Sequence, residues 1–211
     1  MSEILPHLSP LLIEILNLFG TMAFGVTGAF KAIEHGADLV GVIVLSSITG
    51  VAGGVVRDII FGKLPPTALI NPSYLIVTVA SGVAIFFLYP SLKTHWNLFL
   101  KFDAVGLGVF TVIGATFAYN LFGLNLLIMT IAGTLTAVGG GIFRDMLVYE
   151  IPLVLVKELY ASASFMGIIA FFILLAMGFN LNVVAIPSIL LVILVRIIAM
   201  RFRWNLPRAR T

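Results

Sequence analysis

Long apolar runs constrain this chain more than any other feature. Hydrophobic residues make up 61% of the sequence, charged residues make up 10%, and the mean hydropathy is +1.17. A helix of about 20 apolar residues crosses the bilayer core and satisfies its backbone hydrogen bonds internally. The sequence therefore predicts an all-α membrane protein with seven transmembrane helices. We expect these spans at residues 11–30, 39–61, 74–89, 102–122, 126–143, 160–179 and 183–200.

The second and fifth predicted spans contain the same unusual segment. TGVAGGVVRD begins at Thr49 and TAVGGGIFRD begins at Thr136, and a proline follows each aspartate by seven residues. Adjacent glycines weaken a helix, so we expect helices two and five to be broken there. In inverted repeats such breaks lie near the membrane midplane, where they can line a path for an ion or a small polar solute. The residues predicted to line the path or to form the kinks are Thr49, Gly50, Gly53, Gly54, Thr136, Gly139, Gly140 and Gly141.

An arginine and an aspartate follow the glycines in both segments. Charges inside a membrane are rare, and they face protein or a water-filled cavity. We therefore expect Arg57, Asp58, Arg144 and Asp145 to lie beside the path or to brace the helices. The alternative is that the glycines only permit close helix packing and that the Arg-Asp pairs are purely structural.

Two further charged residues lie at the ends of predicted spans. Lys31 follows the first span, and Asp103 opens the fourth. Anchoring at the membrane interface is the simpler interpretation of both residues, whereas a gate or a lipid contact is the functional one.

The chain contains an internal repeat. The matching positions in spans one and four are Gly20 with Gly106, Phe24 with Phe110, Gly28 with Gly114, and Ala29 with Ala115. The two Gly-Arg-Asp-Pro segments match at an offset one residue longer. Each unit holds three spans, and an odd number of spans turns the second copy upside down. We predict a first repeat at residues 1–92, an inverted repeat at 93–180, and a seventh span with a basic cytoplasmic tail at 181–211.

The basic residues predict the orientation. Those on or toward the carboxyl-terminal side of the membrane are Lys31, Lys93, Lys101, Arg144, Lys157, Arg196, Arg201, Arg203, Arg208 and Arg210. Cytoplasmic segments carry an excess of lysine and arginine. The carboxyl terminus is therefore expected in the cytoplasm and the amino terminus outside.

Several function classes find no support in the sequence. The chain has no cysteine, and its three histidines form no metal-ligand spacing, so we expect no metal site and no cofactor. No nucleophile with a matching base is evident, so we do not expect an enzyme. The basic residues adjoin apolar runs rather than forming a polar face, which argues for membrane lipid and against nucleic acid as a partner.

The paired segments from Gly53 to Asp58 and from Gly140 to Asp145 resemble those of a known family. With the duplicated three-span units and the seventh span, they are similar to the prokaryotic branch of the trimeric intracellular cation (TRIC) channels, also labelled glycine-transporter-domain proteins. The resemblance implies a homotrimer in a prokaryotic cell membrane. Each protomer would have its own pore, bounded by helices two and five, that passes potassium and, less selectively, sodium. Lys157-Glu158-Leu159 is similar in letters to the lysine-glutamate-valine element of animal members, but it precedes the sixth span.

Two functions agree with this architecture. We favour a potassium-permeable channel for monovalent cations, in which hydroxyls and backbone carbonyls replace part of the hydration shell. The alternative is a secondary transporter for a small zwitterion such as glycine, whose carboxylate would meet a helix amino end or an arginine.

Overall fold

The computed structural model describes residues 9–92, 96–156, 159–202 and 204. Within these residues the chain is helical and contains no strand, so the all-α prediction is confirmed. The helices are α1 (Pro10–Glu34), α2 (Leu39–Ile60), α3 (Thr67–Ile70), α4 (Pro72–Leu92), α5 (Trp96–Phe122), α6 (Leu126–Leu147), α7 (Leu153–Val156), α8 (Tyr160–Ala176) and α9 (Leu181–Phe202).

Seven of these helices correspond to the predicted spans. Six are long and apolar enough to cross a membrane, and α8 is a shorter apolar helix of 17 residues. The short helices α3 and α7, which follow α2 and α6, were not predicted. Several residues named in the sequence analysis lie outside the described residues, namely Lys93, Lys157, Glu158, Arg203, Arg208 and Arg210.

The second helix of each repeat begins with a side-chain cap and is followed by a residue with a positive φ. The Asp38 carboxylate accepts from Gly41 N–H at the start of α2, and the Asn125 side chain accepts from Ile128 N–H at the start of α6. Such caps satisfy amide groups that the first helical turn leaves unpaired. After the helices, Gly62 and Tyr149 both adopt a positive φ. The equivalent ends confirm that both copies fold by the same local rules.

The helices pack as two groups of three. In one group α1, α2 and α4 contact one another, and in the other α5, α6 and α8 do so. The groups meet where α1 packs on α5 and α2 packs on α6, and α9 packs against α5 and α8. The central layer is therefore made of the first two helices of each group.

The predicted helix breaks are wrong. Both α2 and α6 are continuous α-helices through their glycines. A Cβ on Gly53 would collide with the carbonyl oxygen of Thr136, and a Cβ on Gly140 would collide with that of Thr49. These glycines are needed because the backbones of α2 and α6 approach each other too closely for any side chain, as in small-residue helix crossings.

Candidate functional site

A cavity of about 340 Å³ lies between α1, α2 and α5, beside α3 and the start of α4. Five of the predicted site residues line it, namely Gly50, Gly54, Arg57, Asp58 and Thr136. The other polar residues of the lining are Glu14, Asn17, Thr21, Lys63, Thr67, Asn71, Tyr74, Thr116 and Asn120. A membrane-embedded bundle thus contains a space lined by hydroxyls, amides and charges of both signs.

The Arg57-Asp58 pair forms one wall of this cavity. Arg57 donates to Asp58 Oδ1 from Nε at 2.9 Å and from Nη2 at 2.7 Å. The other carboxylate oxygen, Oδ2, accepts from Thr67 N–H at 2.8 Å. The guanidinium carbon of Arg57 lies 4.3 Å from the centre of the Phe117 ring, and Lys63 Nζ lies 5.6 Å from the same centre. Asp58 therefore neutralises Arg57 and also holds the segment after α2.

The Arg144-Asp145 pair repeats the local contacts in an enclosed setting. Arg144 Nε donates to Asp145 Oδ1 at 2.8 Å, and Asp145 Oδ2 accepts from Leu153 N–H at 2.8 Å. In addition, Arg144 Nη1 donates to Asp103 Oδ1 at 2.8 Å and to Thr27 Oγ1 at 2.9 Å. Arg144, Asp103 and Asp145 are fully buried. One guanidinium thus bridges two carboxylates and joins α1, α5 and α6.

Lys31 and Asp103 differ from the expected interface anchors. Both side chains are buried, and each has an oppositely charged partner. Lys31 Nζ lies 2.6 Å from Glu150 Oε2, and Asp103 pairs with Arg144. Sequence reasoning missed these partners because Lys31 is separated from Glu150 by 119 positions and Arg144 from Asp103 by 41. The available signal was that a charge inside an apolar bundle needs a counter-charge.

Of the residues predicted to line the path or to form the kinks, five pack between helices and do not line the cavity, namely Thr49, Gly53, Gly139, Gly140 and Gly141. The hydroxyl of Thr49 donates to Leu45 O at 2.6 Å, and that of Thr136 donates to Ala132 O at 2.6 Å, so each hydroxyl is occupied by its own helix. Gly53, Gly139 and Gly140 lie at the crossing of α2 and α6. Gly141 faces the other way, where a Cβ would lie 3.2 Å from the Tyr160 hydroxyl oxygen.

These features define an α-helical integral membrane protein with a polar cavity inside its bundle. A family model described as glycine transporter matches the chain at residues 14–90 and 100–176. The UPF0126 membrane protein of Vibrio cholerae is 34% identical over 197 residues, which cover 93% of this chain and 82% of that protein. The chain therefore belongs to this family, the family of the TRIC channels, and the resemblance noted in the sequence is confirmed.

Solved structures of the family share the whole fold. One structure was solved to explain conductance through TRIC cation channels. Its sequence is 38% identical to this chain, the TM-score is 0.86, and the match covers 94% of this chain and 97% of that one. The TRIC orthologue from Rhodobacter sphaeroides is 32% identical with a TM-score of 0.86, over 91% of this chain and 98% of that one. These relatives are ion channels, which confirms that the protein is not an enzyme.

Proposed function

We propose that the protein is a channel for monovalent cations, permeable to potassium, with one pore inside each protomer. The observation that carries this proposal is the polar cavity, which leads from the start of α1 to the crossing of α2 and α6. The similarity of the chain to solved TRIC cation channels supports the same function. The cavity residues at the crossing, Gly50, Gly54 and Thr136, come from the duplicated segments.

The chemistry of the lining suits a partly hydrated cation. Hydroxyl and amide oxygens can replace water ligands of a monovalent ion without binding it too tightly to leave. Asp58 compensates the positive charge of Arg57, and Glu14 adds an exposed carboxylate at the wall. On the other side of the crossing, Arg144, Asp103, Asp145 and Thr27 form a fully buried hydrogen-bonded group, the Arg144 cluster. Because this cluster is closed to solvent, we propose that this conformation corresponds to a closed channel.

We also propose that the protein assembles as a homotrimer in a bacterial cell membrane. The Rhodobacter sphaeroides relative is described as a trimeric channel, and the Vibrio cholerae relative as a membrane protein. The amino terminus would lie outside and the carboxyl terminus in the cytoplasm, by the distribution of basic residues. Large apolar side chains remain exposed on several helices, including Phe87, Leu127 and Val183, which suits contact with lipid or with a neighbouring protomer.

Recording from purified protein in planar bilayers tests the proposal. We expect unitary currents with potassium as the main permeant ion and smaller currents with sodium. One assembly should show more than one current level, because each protomer would carry its own pore. Lipid without protein serves as the control. Flux without unitary currents, saturating with glycine and coupled to an ion gradient, would instead show a secondary transporter.

A further inference from the structure

The inner end of the cavity is closed by two phenylalanines that the repeat relates to each other. Phe110 of α5 lines the cavity, and Phe24 of α1 lies behind it and is 1% exposed. Their ring centres are 5.4 Å apart with the planes inclined by 40°. This contact places an aromatic pair between the cavity and the Arg144 cluster.

Each ring is seated on a glycine of the other repeat. A Cβ on Gly106 would collide with the ring of Phe24, and a Cβ on Gly20 would lie 3.2 Å from the ring of Phe110. The four residues are the same positions by which the repeat was detected in the sequence. The duplicated glycines thus give each aromatic ring room at the centre of the bundle.

Polar groups lie on both sides of the pair along α1. Thr21 lines the cavity, whereas Thr27 accepts a hydrogen bond from Arg144 on the other side. Thr27 follows Thr21 by six positions, about 9 Å along the helix axis, and Phe24 lies midway between them. The polar route along α1 is therefore interrupted at one apolar layer.

We propose that Phe24 and Phe110 form a hydrophobic gate that blocks water and ions between the cavity and the Arg144 cluster. This inference rests on the proposed channel function. A narrow apolar layer blocks conduction by excluding water, even where the flanking surfaces are polar. Opening requires the two rings to separate, and therefore a relative movement of α1 and α5, which pack against each other.

Cysteine modification tests the gate without using conduction as its readout. The natural sequence has no cysteine, so Thr21→Cys and Thr27→Cys each introduce a single thiol. With both phenylalanines present, a small cationic methanethiosulfonate reagent is expected to modify the first thiol and to leave the second nearly unmodified. Adding Phe110→Ala should raise the modification rate at position 27 by at least about tenfold, because water then crosses the layer.

The matched control is Phe171→Ala. Phe171 is a fully buried phenylalanine on α8 that does not line the cavity, so its removal also leaves a void in the core. The gate is disproved if Phe110→Ala and Phe171→Ala raise the rate at position 27 equally, or if neither raises it. Phe110→Leu and Phe24→Leu keep an apolar side chain and serve if an alanine variant does not fold, with an increase of the same sign but smaller size.

Potassium flux into liposomes separates the gate from the channel function. If Phe110→Ala conducts more than both wild type and Phe171→Ala, the gate and the channel are both supported. If wild type conducts and Phe110→Ala does not exceed it, the gate is wrong while the channel stands. If no variant conducts although position 27 becomes accessible, the apolar barrier stands and the channel function fails.

Discussion

The Arg57 pair and the Arg144 pair occupy equivalent positions but differ in their surroundings. In both, an arginine bonds to the following aspartate, whose second oxygen accepts a backbone N–H from the next segment. Arg57 lines a cavity and is 7% exposed, whereas Arg144 is fully buried and also bonds to Asp103 and Thr27. The same sequence motif therefore gives one arginine that faces a polar cavity and one that links helices through buried hydrogen bonds.

Substituting the two arginines should give the largest difference between the halves. Arg144→Ala leaves Asp103 and Asp145 buried without their counter-charge, so we expect a loss of about 3–5 kcal/mol of stability. Arg57→Ala should cost clearly less, because water in the cavity can solvate Asp58. Thermal unfolding and monodisperse yield in detergent measure both.

A double substitution provides the control for that prediction. Asp103→Asn in the Arg144→Ala background removes one unpaired charge and should restore part of the loss. Equal destabilisation by Arg57→Ala and Arg144→Ala would contradict the proposed difference between the halves.

The paired glycines should show the next largest effect. Gly53→Ala and Gly140→Ala place a methyl group against a carbonyl oxygen of the facing helix, and such overpacking costs about 1–3 kcal/mol. Gly54→Ala is the matched control, since the nearest atom to its Cβ would be Arg57 Nη2 at 4.0 Å. Unfolding midpoints should fall for the first two variants only. A fall of the same size for Gly54→Ala would show that helix flexibility, not the crossing, explains the glycines.

Larger side chains at two equivalent glycines sharpen the comparison further. The sequence alone treats Gly54 and Gly141 alike and predicts that leucine at either position obstructs the path without affecting assembly. In the structure Gly54 faces the cavity, whereas Gly141 lies against Tyr160 and Arg144. Gly54→Leu should therefore fold and lower potassium flux severalfold, while Gly141→Leu should lower folded yield.

Flux must be compared at matched protein content for this pair. Unchanged flux for well-folded Gly54→Leu would mean that the cavity is not part of the ion path.

The smallest effect is expected at the edge of the enclosed half. Lys31 is buried, but its partner Glu150 is 35% exposed, so solvent screens their ion pair. Glu150→Gln should lower stability by no more than about 1 kcal/mol. The unfolding midpoint should also lose much of its salt dependence relative to wild type. A loss as large as that of Arg144→Ala would show that Lys31 belongs to the same buried network.

The sequence predicted the spans and the repeat well because both depend on local patterns. Apolar length located seven helices with ends that differ by at most six residues, and the shared glycines Gly53 and Gly140 lie at the crossing of α2 and α6. The prediction that the glycines break helices two and five was wrong, because low helix propensity does not break a helix that neighbouring helices support on both sides. Gly54 lies at the edge of the cavity, whereas Gly141 is enclosed. This difference depends on the side chains that face each glycine, and no local sequence pattern contains that information.

The hydrogen bonds that Thr67 N–H donates to Asp58 and Leu153 N–H donates to Asp145 bear on the order of assembly during synthesis. They span nine and eight residues, so each can form once its own segment has left the ribosome. Closing so short a loop costs little chain entropy. The Asp103 bond to Arg144, in contrast, joins positions 41 apart and requires α5 and α6 to meet. Each arginine can therefore pair with the aspartate beside it early in synthesis. The long helices of the first repeat, α1, α2 and α4, can then enter the membrane before the second repeat has been synthesised.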